Sequence, residues 1–235
     1  MVARQTGAAI KFLECEMDGS FTDEAIENAV TPKTKFAAVT HISNVIGRVN
    51  PVEKIIEKVH GVGGVVLVDA VAASTIIITG KKVQITASPN VQKMDADFLA
   101  FSGHKLMAPM GIGVLYGKEN LLNAMSPFLT GGEMIESVTR EGAVFAELPH
   151  KFEAGTVNAA GAVGLKSAID YVKSVGFEEI HKRELEVSAY AFEKMKEIAH
   201  INILGSEKAE EHNGILTFTV DNVHPHDVSE ILAAD

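Results

Sequence analysis

The chain has 235 residues, of which 46% are hydrophobic and 22% charged, and a formal net charge of −10. This is an ordinary globular composition, in a chain long enough to bury a core and form one or two domains. The acidic balance opposes nucleic-acid binding, which needs a basic face to displace counterions, and the single cysteine, Cys15, excludes an intramolecular disulfide and suits a reducing cytoplasm.

In chain order, residues 10–17 read as a strand-like run that would make Cys15 an inert packing residue. Residues 36–40, 65–68, 98–101 and 113–116 are short, continuous apolar runs. Such runs suit strands covered on both faces in a mainly parallel sheet. Between the first two, residues 51–60 place Val52, Ile55, Ile56 and Val59 on one helical face, with Pro51 in the first turn. Strand, helix and strand here make a βαβ unit. Residues 61–64 follow that helix and precede a strand, so they read as a cap and turn, not a nucleotide-binding loop.

The run 61–79 is the most membrane-like stretch, but Asp69 near its middle would be costly in a bilayer, and a buried strand explains it better. No membrane partner and no secretory leader are expected. Residues 75–90 read as a hairpin around Gly80-Lys81-Lys82. Helices are expected over 159–176 and 178–198, and a strand over 214–220. His224-Pro225-His226 reads as a helix-start loop, so no metal site is expected. His41, flanked by apolar residues, reads as structural rather than catalytic.

Asn44, Asp69 and Lys105 each fall just past a predicted strand end, where active groups gather in open α/β sheets. Lys105 closes the run Ser102-Gly103-His104-Lys105. An amine and an acid at two strand ends are what pyridoxal 5'-phosphate (PLP) needs from a protein. The lysine forms a Schiff base, and the acid keeps the pyridine nitrogen protonated. Ser102 and His104 supply hydrogen bonds for a phosphate.

Thr40-His41-Ile42-Ser43-Asn44-Val45-Ile46-Gly47, Val66-Leu67-Val68-Asp69, the run from Asp97 to Lys105, Gly111-Ile112-Gly113-Val114-Leu115-Tyr116, Gly131-Gly132-Glu133-Met134-Ile135 and Phe152-Glu153-Ala154-Gly155-Thr156-Val157-Asn158 occur in one order. Together they resemble the class V aminotransferase family, and most closely its group II cysteine desulfurases, which are selenocysteine lyase-like. The resemblance implies an α/β, PLP fold-type I large domain with a mainly parallel sheet over 1–165, itself incomplete. A linking helix and the start of a smaller α+β C-terminal domain would follow over 166–235.

The resemblance also implies PLP-dependent removal of sulfur from L-cysteine or L-selenocysteine in a cytoplasmic homodimer, of the kind that serves iron–sulfur cluster assembly. It admits a sulfur-acceptor protein as a partner. By resemblance, Lys105 is the Schiff-base lysine, Asp69 the partner of the pyridine nitrogen, and Ser102 and His104 the phosphate ligands. Asn44 lies near the substrate carboxylate, and Thr156 reaches the phosphate of the other subunit's cofactor.

The chain departs from the family pattern in three places. Segments expected before Met1 and after Asp235 carry a ring-stacking histidine, the nucleophilic cysteine and a substrate arginine. Ala72 stands where the family has a glutamine, and the stretch between Asp69 and Asp97 is longer. Two other readings therefore stand beside the desulfurase. One is another class V enzyme, an aminotransferase or kynureninase-like lyase, and the other is a non-catalytic remnant or interaction module.

Overall fold

A computed structural model describes residues 2–70 and 91–234. Ala72 and the hairpin expected at 75–90 lie outside these residues.

Two short helices come first, α1 (Val2–Thr6) and α2 (Asp23–Ala29). Thr22 starts α2 by accepting a hydrogen bond from the Ala25 N–H at 3.1 Å, which satisfies a donor that the first turn leaves open. The strand expected at 10–17 does not form, and Cys15 is exposed rather than packed. A strand-like run makes a strand only where a neighbour accepts the backbone bonds, and none of the described strands pairs with this segment. Ile10, Phe12 and Met17 are exposed with it.

β1 (Phe36–Thr40), β2 (Val65–Asp69), β3 (Phe98–Ser102) and β4 (Gly113–Gly117) form a sheet in that order. The first three strands run parallel, and β4 is antiparallel to β3. The crossover from β1 to β2 is α3 (Val52–His60), which buries Val52, Ile55, Ile56 and Val59, the face its periodicity predicts. Each such side chain contributes roughly 1.5–3 kcal/mol by leaving water. The 61–64 run ends α3, with the Gly61 N–H donating to the Glu57 carbonyl at 3.0 Å.

Val66, Val68, Leu99 and Phe101 are buried with α3 in one core, while their strand neighbours Leu67, Asp69, Phe98, Ala100 and Ser102 are only half-buried. Among the described residues, then, the sheet is buried on one face rather than on both. The open face is the one that carries Asp69 and Ser102.

At the amino ends of the strands, Asp97 is buried and takes three partners. It accepts from the Val66 N–H at 2.8 Å, meets His60 Nε2 at 2.7 Å and pairs with Lys118 Nζ at 2.9 Å. Burial pushes the Asp97 carboxyl up, but bonds from Lys118, His60 and Val66 outweigh it and hold the group below the usual carboxylate range. One side chain thereby ties the end of α3 to β2, β3 and the exit of β4.

Two short helices, α4 (Val91–Met94) and α5 (Glu119–Ala124), flank β3 and β4 in sequence, and a hairpin follows, β5 (Ile135–Val138) with β6 (Ala143–Phe145). α6 (Ala159–Val175) packs Leu165, Ala168 and Val172 into the sheet core, so position 165, expected as a domain boundary, falls inside one helix. α7 (Phe177–Lys196), the antiparallel pair β7 (Ile201–Ile203) and β8 (Phe218–Val220), and α8 (Pro225–Ala234) complete the described chain. No helix among the described residues is long and apolar enough to cross a membrane.

Candidate functional site

β2 ends at Asp69 and β3 at Ser102, side by side in a parallel pair. Asp69 pairs with Ala100, and side chains on a strand alternate faces, so Ala100, Ser102 and Asp69 share the open face. Thr40, which pairs with Asp69 on the other side, shares it too.

Beyond Ser102 the chain turns at once into a 3₁₀ turn, Gly103–Leu106, which carries His104 and Lys105. Gly103 is buried, and a Cβ there would press on the Ile112 carbonyl and side chain, so a larger residue would push the turn off the sheet. The Gly103 N–H donates to the Ile112 carbonyl at 2.8 Å, and the Ala108 N–H to the Gly103 carbonyl at 3.0 Å. His104 and Lys105 are exposed on this turn. Ser102 Oγ and His104 Nδ1 share a hydrogen bond of 2.7 Å, in which the serine O–H donates when the ring proton sits on Nε2.

His41 follows β1 and is buried, and burial lowers its pKa. Its backbone N–H donates to the Asp69 carbonyl at 2.7 Å, and its carbonyl accepts from the Asn50 N–H at 2.9 Å. These main-chain bonds fix the strand end that presents Asp69. Its Nδ1 is buried without a hydrogen-bond partner among the described residues.

The other two predicted residues stand on separate loops. Asn44 is exposed in the turn after β1, and Thr156 is exposed after Gly155. The loops carrying Gly132 and Gly155 are joined, since the Gly155 N–H donates to the Gly132 carbonyl at 2.9 Å. Asn158, quoted above only as part of a motif, has a definite role. Its Oδ1 accepts from the Gly161 N–H at 2.9 Å and caps α6, while its Nδ2 donates to the Gly111 carbonyl at 3.1 Å. An asparagine just before a helical pattern is the signal for that cap; the bond to Gly111 has no local signal. Among the described residues, no group of three or more His, Cys, Asp or Glu is placed to hold a metal. His224 instead accepts the His226 N–H at 3.2 Å, at the start of α8.

The donor set fits the expected cofactor. A protonated ring nitrogen needs a carboxylate, a phosphate needs donors, and an aldehyde needs an amine. Asp69, the Ser102–His104 pair and Lys105 supply these in turn at adjoining strand ends.

Three comparisons bear on this arrangement. A family model described as aminotransferase class-V matches residues 1–235. The chain is 42% identical over 234 residues to a probable cysteine desulfurase of Halalkalibacterium halodurans, covering 100% of this chain and 54% of that protein. It is 39% identical over 231 residues to a cysteine desulfurase of Haloferax volcanii, covering 98% of this chain and 52% of that protein. The crystal structure of the Escherichia coli cysteine desulfurase CsdA, in an S-sulfonic acid form, superposes with a TM-score of 0.88 at 32% identity, covering 99% of this chain and 55% of that one. The chain thus spans about half the length of the relatives it matches. The mainly parallel α/β sheet is that of the fold-type I enzymes.

Proposed function

This chain belongs to the class V aminotransferase family, and from that membership we propose that it holds PLP for the removal of sulfur from L-cysteine, leaving alanine. The observation that supports the reading is that Asp69 and Ser102 end neighbouring parallel strands and that His104 and Lys105 stand on the turn directly after Ser102.

When bound, PLP supplies an electron sink conjugated to the substrate's α-carbon. The chain's own groups do the rest. Asp69 holds a proton on the ring nitrogen, because a carboxylate stabilises the charged form of its partner. Ser102 would hold a phosphate oxygen through its O–H, with His104 donating Nδ1–H to Ser102 Oγ to keep the serine oriented. Lys105 would hold the cofactor's aldehyde through its amine and would move a proton at the substrate's α-carbon.

Asn44 meets the substrate carboxylate, and Thr156 reaches the phosphate of the other subunit in a homodimer. The enzyme works in the cytoplasm, and a sulfur-acceptor protein takes its product. Residues 1–165 belong to the cofactor domain, and 166–235 supply the linking helix, still packed on that domain through Ala168 and Val172, and begin the smaller one.

The test presents the PLP-loaded chain with L-cysteine, a dithiol to take the sulfur and, separately, a keto acid. The desulfurase reading expects alanine as the product and no transfer of the amino group. Amino-group transfer to the keto acid would assign the chain to the aminotransferases instead.

A further inference from the structure

The turn that displays Asn44 is held from below by two distant parts of the chain. Within the turn, the Gly47 N–H donates to the Ser43 carbonyl at 2.9 Å and the Ser43 N–H to the Arg48 carbonyl at 2.9 Å. Ser43 Oγ accepts from the Val45 and Ile46 N–H groups, each at 3.3 Å. The remaining groups face the loop between β7 and β8. Asn213 Nδ2 donates to the Gly47 carbonyl at 2.8 Å, and the Thr217 hydroxyl donates to the Val45 carbonyl. Gly47 has φ +70°, and a Cβ there would overlap the His212 carbonyl. This is an approach that only glycine permits.

Arg48 closes the arrangement. Its Nη1 lies 2.5 Å from Glu211 Oε2 and 3.2 Å from Asp18 Oδ2. Both carboxylates are already oriented. Ser206 donates its hydroxyl to Glu211, and Ser20 donates its hydroxyl and N–H to Asp18 at 2.6 and 2.9 Å. The Ser206 bond, set against burial and helped by Arg48 and Lys208, holds the Glu211 carboxyl below its usual range. Exposed ion pairs contribute little, but here Arg48 is about one-fifth exposed, and three independent links from one loop converge on one turn.

We infer that Arg48 is a positioning residue for Asn44, latching the Ser43–Gly47 turn to Glu211 and Asp18 so that Asn44 meets the substrate carboxylate in a fixed place. This rests on the reading of Asn44 given above. Both carboxylates meet the same guanidinium nitrogen, Nη1, so one charged group ties the turn to two distant parts of the chain.

The test uses the full chain and four variants: Arg48→Gln, Glu211→Gln, the double variant and Asn44→Ala. Hydrogen exchange of the peptide over 43–48 reads the latch directly, without activity. Arg48→Gln should speed exchange at Ser43 and Gly47 by about tenfold, and the double variant should add less than about twofold, since the two residues act as one unit. In the PLP-loaded chain, L-alanine should bind about tenfold more weakly in Arg48→Gln and in Asn44→Ala, with PLP affinity held within about twofold. Unchanged exchange in Arg48→Gln would overturn the latch. So would a parallel loss of PLP and alanine affinity, the mark of general damage. Alanine binding weakened by Asn44→Ala but not by Arg48→Gln would overturn the positioning role while leaving the reading of Asn44 intact. Alanine binding untouched by Asn44→Ala would overturn that reading, and the inference with it.

Discussion

Asp69 and Ser102 share the open face of the sheet, because Ala100 pairs with Asp69 across β2 and β3 and precedes Ser102 by one pleat. The two side chains are therefore offset by about 7 Å along the strand direction, at two residues of rise. That spacing suits one aromatic ring held at its nitrogen by the acid and at its phosphate by the serine turn.

Asp69→Asn should still allow PLP to bind, with affinity lowered about tenfold, the cost of replacing a charge-assisted hydrogen bond by a neutral one. An amide cannot hold the ring proton, so the bound cofactor's absorption spectrum should also change. Titration of PLP into wild type and variant, followed by absorbance, measures both effects.

With Ser102 as the proposed phosphate donor, Ser102→Ala should weaken PLP binding by roughly tenfold or more and leave the His104 ring without its 2.7 Å partner. Ser102→Thr should recover part of the loss, since the hydroxyl is retained. Competition by inorganic phosphate in the two variants separates a phosphate contact from a general disturbance of the turn.

Much of this architecture is legible in the chain because apolar runs and turn signals are local. The four sheet strands match their runs to within one residue, and α3 buries the face its period names. Residues 10–17 mislead because a strand-like run alone says nothing of whether a partner strand is present. β8 is shorter than the 214–220 run because only Phe218–Val220 find partners, on β7. Lys105, Asp69 and Ser102 are placed by strand ends plus family motif. The open sheet face, the His41 bond to Asp69 and the Arg48–Glu211 pair are tertiary. The last joins residues 163 positions apart, and no local pattern encodes it.

Asp97 sets the expected response to acid. Its folded pKa is depressed, so the stability it contributes is fully present above its unfolded value of about 3.9 and is lost as pH falls through the folded value. Asp97→Asn should cost about 2 kcal/mol at neutral pH and lower Tm by roughly 5 °C in a chain of this size. The gap between wild type and variant should close on acidification. Thermal melts at a series of pH values check the sign, and a gap that widens in acid would contradict it.

Cys15 is the chain's only thiol, and it sits exposed on the segment between α1 and α2. Cys15→Ser should leave PLP binding and any alanine release from L-cysteine unchanged. Release abolished by that substitution would make Cys15 the sulfur-taking nucleophile. Alanine quantified by mass spectrometry decides it.

The most direct measurement is borohydride reduction of the PLP-treated chain, followed by peptide mapping. The account predicts one phosphopyridoxyl group, on Lys105, in the exposed turn beside Ser102 and His104, and none in Lys105→Ala. An adduct scattered over surface lysines, unchanged in Lys105→Ala, would contradict it.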